Sequence, residues 1–191
     1  MSPPEDYVEE AGYWKATLRD ALGPGRHRLL ELGVGGGHNL SHLTDEFEAT
    51  AVDLSEGMLA NSRRLTPTVE HHQGDMRTVR LDRTFDAVIV HDAISYLLTE
   101  DDLRAAFVTA AAHLRHGGVF VTSPDYMTET FVDGHTACRT HPMRGGRFTY
   151  VEYQWDPDRT DTQTETLFTY IIHQDNQVRI DFLGFFDDFS V

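Results

Sequence analysis

The chain has 191 residues, 40% hydrophobic and 25% charged, a composition that suits one globular domain with a packed core. Its 16 Lys and Arg against 31 Asp and Glu give a formal charge of −15, which repels a phosphate backbone, so nucleic acid is not expected as a partner. Apolar runs such as Ala87–Val90 fall far short of the ~20 residues that cross a bilayer, the opening lacks the basic start of a secretion signal, and the single Cys138 makes neither an internal disulfide nor a four-ligand zinc site. A cytoplasmic protein without a membrane partner is the expectation.

Val8, Ala11, Trp14, Leu18 and Ala21 form one apolar helical stripe over residues 5–22, stopped by Gly23-Pro24-Gly25. Leu29–Leu32 then reads as a buried strand running into Gly33-Val34-Gly35-Gly36-Gly37, followed by a helix with Leu40, Leu43 and Phe47 on one face. Ala49–Val52 is a second strand ending at Asp53, with Ser55 capping a helix that carries Met58, Leu59, Ser62 and Leu65. Val69–Gln73 is read as a third strand, and Phe85–Val90 is apolar enough to be a fourth, covered on both faces. A helix begins at Thr99, carries Leu103, Phe107, Ala110 and Leu114, and ends at Gly117-Gly118 before a fifth strand, Val119–Thr122. This alternation means an α/β, doubly wound, mostly parallel sheet.

After residue 124 the pattern changes to three strands without helices, Phe148–Trp155, Thr164–His173 and Gln177–Phe182. The organisation expected is one domain: a cap helix over 1–25, a core over 26–124, and an antiparallel appendage over 125–191. Unpaired strand edges favour pairing, which leaves a homodimer through the C-terminal strands open. The aromatic residues from Phe182 onward are expected to pack back over the parallel sheet or to drive self-association.

Ligands of an open parallel sheet bind outside the carboxyl ends of its strands. The first exit carries Glu31 and alternating glycines at 33, 35 and 37, and it lacks the sixth-place glycine of a pyrophosphate fingerprint. That argues against a nicotinamide oxidoreductase, which stays as an alternative beside a non-enzymatic cofactor-binding relative. At the second exit, Asp53 stands where a carboxylate accepts ribose hydroxyls, a position that serves any adenosine ligand, and Met58 lies either in the core or against an adenine face. Asp75 in Gly74-Asp75-Met76 could accept from an adenine amino group, or be a solvated turn. The fourth exit, His91–Tyr96, places polar groups where substrate would meet cofactor.

Taken together, residues 31–39, 52–59 (Val-Asp-Leu-Ser-Glu-Gly-Met-Leu), 73–76, 85–88 and 114–120 resemble the class I S-adenosylmethionine-dependent methyltransferases, in order and spacing, over roughly residues 28–123. Leu43–Phe47, His72–Arg77 and Glu129-Thr130-Phe131 further resemble the deoxysugar amino-group dimethyltransferases of macrolide biosynthesis. The resemblance implies S-adenosylmethionine as methyl donor, an N or O atom of a small molecule as acceptor, and a cofactor set of Tyr13, Glu31, Gly33, Gly35, Gly37, Asp53, Leu54, Met58, Asp75, Met76 and His91. It also implies a last strand hairpin in the sheet, which residues 125–191 do not show unless the late strands supply it.

Methyl transfer from a sulfonium needs mainly alignment and exclusion of water, and a base only if the acceptor starts protonated. His91, Asp125 and Tyr126 are the catalytic candidates. No metal is expected: His71 and His72 point to opposite faces of a strand, and His113 and His116 suit the end of a helix.

Overall fold

The computed structural model describes residues 4–124 and 126–188. Contacts divide the chain into two units, one made of residues 1–94 and 100–124, the other of 95–99 and 125–191.

The first unit opens with a 3-10 turn, Pro4–Tyr7, and helix α1, Val8–Leu22, whose Ala11, Trp14 and Leu18 are buried as the stripe requires. Strands β1 (His27–Leu32), β2 (Phe47–Asp53), β3 (Glu70–Gln73), β4 (Phe85–Val90) and β5 (Leu114–Thr122) alternate with α2 (His38–Leu43), α3 (Glu56–Leu65) and α4 (Glu100–His113). The five strands form a parallel sheet in the order β3-β2-β1-β4-β5. Leu29, Leu30, Leu32, Val88, Ile89 and Val90 are almost wholly buried, because crossover helices cover both faces of the central pair. Between β1 and β4 the strand order reverses, and the carboxyl ends of these two strands therefore frame the crevice in which such sheets bind ligands.

Several expectations shift. Phe47 is buried at the start of β2 rather than on a helix, since α2 stops at Leu43. The expected helix through residue 116 ends at His113, and His116 lies on β5. The buried face of α4 is Ala106, Thr109, Ala110 and His113, while Phe107 is 38% exposed and meets the Phe120 ring edge-on. The two polar residues bury because they are bonded: Thr109 Oγ1 donates to the Arg77 carbonyl, the His113 Nδ1 bonds the Thr109 carbonyl at 2.8 Å, and its Nε2 accepts from the Leu81 N–H at 2.9 Å.

The second unit is a four-stranded antiparallel sheet in the order β6-β7-β8-β9: β6 His135–Met143, β7 Gly146–Trp155, β8 Gln163–Gln174 and β9 Gln177–Asp188. Sequence reasoning missed β6. The late strands pair only with one another among the described residues and do not extend the parallel sheet. Asp175 and Asn176, at φ 50° and 60°, form the two-residue turn between β8 and β9. Phe182 and Leu183 belong to β9 and are exposed, so the aromatic segment is a strand. Phe189 lies outside the described residues.

Candidate active site

The glycine loop leaves β1 under a tight backbone constraint. Gly33 and Val34 both donate to the Val52 carbonyl, at 2.8 and 3.0 Å, which turns the chain toward β2. Gly33 sits at φ +80° against Ala93, whose methyl a Cβ would overlap. Gly35, at φ +55°, is different: nothing lies within 4 Å of where its Cβ would be, so its backbone faces open space. Gly37 precedes α2 and packs on Ser62.

Asp53, at the end of β2, holds this loop. Its Oδ2 accepts from the Gly35 N–H at 2.7 Å and its Oδ1 from the Ser55 N–H at 2.8 Å. Each oxygen keeps a lone pair, so the carboxylate is oriented by the backbone and still able to accept from a ligand.

Glu31 is the unusual group. It lies near the carboxyl end of β1, 2% exposed, and its Oε2 is buried with no hydrogen-bond partner. Burial, reinforced by the negative charges of Asp92, Asp53 and Glu10, pushes its pKa up to about 8 against the pull of His91.

His91, directly after β4, gathers a network from three elements. Its Nε2 faces the Glu10 carboxylate of α1 and Asp92 Oδ1 at 3.0 Å, and Asn39 Nδ2 donates to Glu10 Oε1 at 3.1 Å and approaches His91 Nδ1 at 3.3 Å. With Nδ1 accepting from Asn39, the Nε2–H is the one that donates to the carboxylates. The Trp14 ring meets the imidazole edge-on at 5.2 Å. Burial lowers the pKa of His91, but the Asp92 hydrogen bond and the charges of Asp92, Glu10 and Glu31 outweigh it and raise the value to about 8. Donor atoms of Glu10, His91 and Asp92 lie within 4.8 Å of one another, the spacing of a cation site. These hydrogen bonds by themselves account for the arrangement. Sequence reasoning missed Glu10 and Asn39; Trp14 was read only as core.

The remaining expected residues divide. Met58, in the first turn of α3, is 41% exposed while neighbouring Leu59 is buried, which favours the outward reading over the core one. Leu54 is exposed, and the Met76 methyl reaches the floor beneath Gly33. Asp75 is engaged: its oxygens bind the Arg77 guanidinium at 2.6–3.0 Å and the Arg77 N–H at 2.8 Å, and this pairing holds its carboxyl below the usual range. Tyr13 is 67% exposed with its hydroxyl on Glu9, whereas Tyr7 stacks on His38 beside the glycine loop at 5.0 Å. Tyr126 belongs to the second unit, its ring edge-on to Phe131 at 5.7 Å, and Asp125 lies outside the described residues. His71 bonds Ser62 Oγ and the Val69 carbonyl, both at 2.8 Å, while His72 Nε2 lies 2.8 Å from Glu70 Oε1 without forming a hydrogen bond, so the adjacent pair diverges as expected.

A family model described as a methyltransferase domain matches residues 29–118. The chain is 37% identical over 186 residues to the dTDP-3-amino-3,4,6-trideoxy-alpha-D-glucopyranose N,N-dimethyltransferase of Streptomyces venezuelae, covering 86% of this chain and 78% of the relative. It is 35% identical to the dTDP-3-amino-3,6-dideoxy-alpha-D-glucopyranose N,N-dimethyltransferase of Streptomyces fradiae, covering 86% and 73%. Among solved structures it is similar to S-adenosylmethionine-bound CalS10, an amino pentose methyltransferase from Micromonospora echinaspora, with a TM-score of 0.85, 30% identity, and 95% of this chain and 76% of that one covered. DesVI of Streptomyces venezuelae gives 0.83 and 32%, over 96% and 78%. These similarities set the nicotinamide alternative aside.

Proposed function

The chain belongs to the class I S-adenosylmethionine-dependent methyltransferases, and from that premise we propose that it methylates the amino group of a sugar-like small molecule in natural-product biosynthesis. The relatives named above act on amino sugars, which supports an amine as acceptor. The observation that carries the site assignment is the juxtaposition of an open Gly35 backbone, an oriented Asp53 and a buried Glu31 oxygen without a partner. These fit the cofactor's parts: the open loop admits its methionine portion, the Asp53 lone pairs suit ribose hydroxyls, the Glu31 oxygen suits an α-ammonium, and outward-facing Met58 suits an adenine face. Leu54, Met76, Asp75 and Tyr13 complete the assigned set, Asp75 acting through the Arg77 pairing that shapes its turn.

Bound S-adenosylmethionine supplies a methyl group on a sulfonium, an already activated carbon. The protein's work is therefore alignment, exclusion of water and handling of the proton that the amine gives up. His91 keeps its Nε2–H between Glu10 and Asp92, so its lone pair for that proton is at Nδ1, and Trp14 covers its edge. We assign Asp125 and Tyr126 to the acceptor side, 1–25 to a cap, 26–124 to cofactor binding, and 125–191 to acceptor binding and to a homodimer. No helix among the described residues is long and apolar enough to cross a membrane. We place the enzyme in the cytoplasm, acting on a soluble acceptor. Product masses from a panel of amino-sugar nucleotides and their hydroxyl counterparts test the reading: methylated amines support it, and methylation of hydroxyl acceptors alone overturns it.

A further inference from the structure

We propose that Asn39 is a positioning residue for His91, an amide held by Glu10 so that it donates to Nδ1 and keeps the imidazole neutral and ready for a proton. This rests on the reading of His91 as proton acceptor given above, and adds the group that sets when the ring is available.

Asn39 is the second residue of α2, 7% exposed, and reaches two other elements at once. Its Nδ2 donates to Glu10 Oε1 of α1 at 3.1 Å and to His91 Nδ1 at 3.3 Å, one hydrogen to each. Its Oδ1 is buried and has no hydrogen-bond partner. An idle acceptor beside two used donors is an unfavourable state for a buried amide, because the oxygen has lost water and gained no bond. Glu10 explains why the amide stays that way round: turned over, it would bring Oδ1 to the place of Nδ2, against a carboxylate oxygen. A leucine would fill the same space without an orphaned oxygen, so packing alone does not account for this side chain.

The effect on His91 has a definite sign. The groups facing the imidazole are Glu10 and Trp14 of α1, Glu31 of β1, Asn39 of α2 and Asp92 after β4. The three carboxyl groups favour the imidazolium, and burial disfavours it. Among the described polar neighbours Asn39 alone sides with the neutral ring, because an N–H aimed at Nδ1 bonds its lone pair and would meet the N–H of an imidazolium head-on. Glu10 therefore acts in two opposed ways, drawing a proton to the ring through Nε2 and keeping one off it through Asn39. The contact to Nδ1 is the longer of the two that Asn39 makes, so it is the one that yields when a proton arrives.

The test is an NMR titration of the His91 ring protons in the ligand-free full chain. Wild type should titrate at about 8, above the 6.5 of an ordinary imidazole. Asn39→Ala admits water able to accept from Nδ1–H and should raise the midpoint by about 0.5–1 pH unit. Asn39→Asp keeps the shape, offers only acceptors and adds a charge, and should raise it by about 1–3 pH units. Glu10→Gln should lower it. Damage to the site would let each midpoint fall toward 6.5, so a rise on losing Asn39 is a result that loosened packing does not produce. A midpoint at or below that of wild type in either Asn39 variant overturns the proposal. Turnover of an amino-sugar nucleotide from the panel above tests the premise separately: midpoints that move as stated under an unmoved pH–rate profile uphold the role of Asn39 and remove His91 from the path of the proton.

Discussion

Replacing Glu31 by Gln should flatten the pH dependence of stability and weaken cofactor binding together. In the folded, ligand-free protein burial holds the Glu31 pKa near 8, against 4.5 for an ordinary solvated glutamate. The unfolded chain therefore releases this proton from about pH 4.5 upward, while the folded protein keeps it until about pH 8. A folded pKa above the unfolded one contributes stability that is complete below the lower value and lost as pH rises through the upper one. The difference is roughly 3.5 units, and at ~1.36 kcal/mol per unit the loss across this window has a ceiling of about 5 kcal/mol, comparable with the whole stability of a small domain. The variant keeps the shape and discards the titration, so urea denaturation at pH 5, 6, 7 and 8 should show wild type losing stability steeply and Glu31→Gln losing less, the two differing by ~2–4 kcal/mol at pH 8. Some slope remains, because His91 titrates in the same direction. Binding of a cationic ammonium to the ionised carboxylate should also release a proton, visible when calorimetry is repeated in buffers of different ionisation enthalpy. Parallel denaturation curves for the two proteins would refute the assignment of a protonated Glu31.

Asp53→Ala should weaken S-adenosylmethionine binding by about tenfold or more, since a charged acceptor is lost and the Gly35 N–H is released, whereas Asp75→Ala should act mainly on melting temperature through Arg77. Gly35→Val should reduce cofactor affinity by filling the open cradle at a φ that costs a side chain ~1–2 kcal/mol, while Gly33→Ala should cost ~1–3 kcal/mol of stability by overlapping Ala93; calorimetric titration and thermal melts separate the two. The folded pKa of His91 is raised above 6.5, so its stabilising contribution is complete below 6.5 and lost as pH rises through about 8. Its capacity to accept a proton grows over the same range, so the turnover rate should climb toward pH 8 in wild type, and a His91→Gln variant should lose that rise.

What the sequence shows and what it conceals follow from the range of the interactions involved. β4 was legible residue for residue, because an apolar, β-branched run bounded by polar residues has no other economical home, and Ser55 was legible as a cap because its bond to the Met58 N–H is local. β6 was not: Thr136, Cys138 and Thr140 alternate with Ala137, Arg139 and His141 without a clear apolar side, and Pro142 argues against a strand unless that strand is an edge, as this one is. On α4 the apolar stripe misled, since Thr109 and His113 bury through bonds to residues some 30 positions away. The same holds at the site. Glu31, the glycines and Asp53 share short motifs, but the network of Glu10, Asn39 and His91 joins residues 29 and 52 positions apart and exists only once α1 and α2 have docked.

A crystal structure with S-adenosylhomocysteine bound would test the account most directly. It should place the ribose hydroxyls on Asp53, the amino acid portion over Gly35 with its ammonium at the Glu31 oxygen, and the adenine beside Met58. A ligand seated away from the carboxyl ends of β1 and β2, or one that leaves Glu31 without a partner, would contradict it.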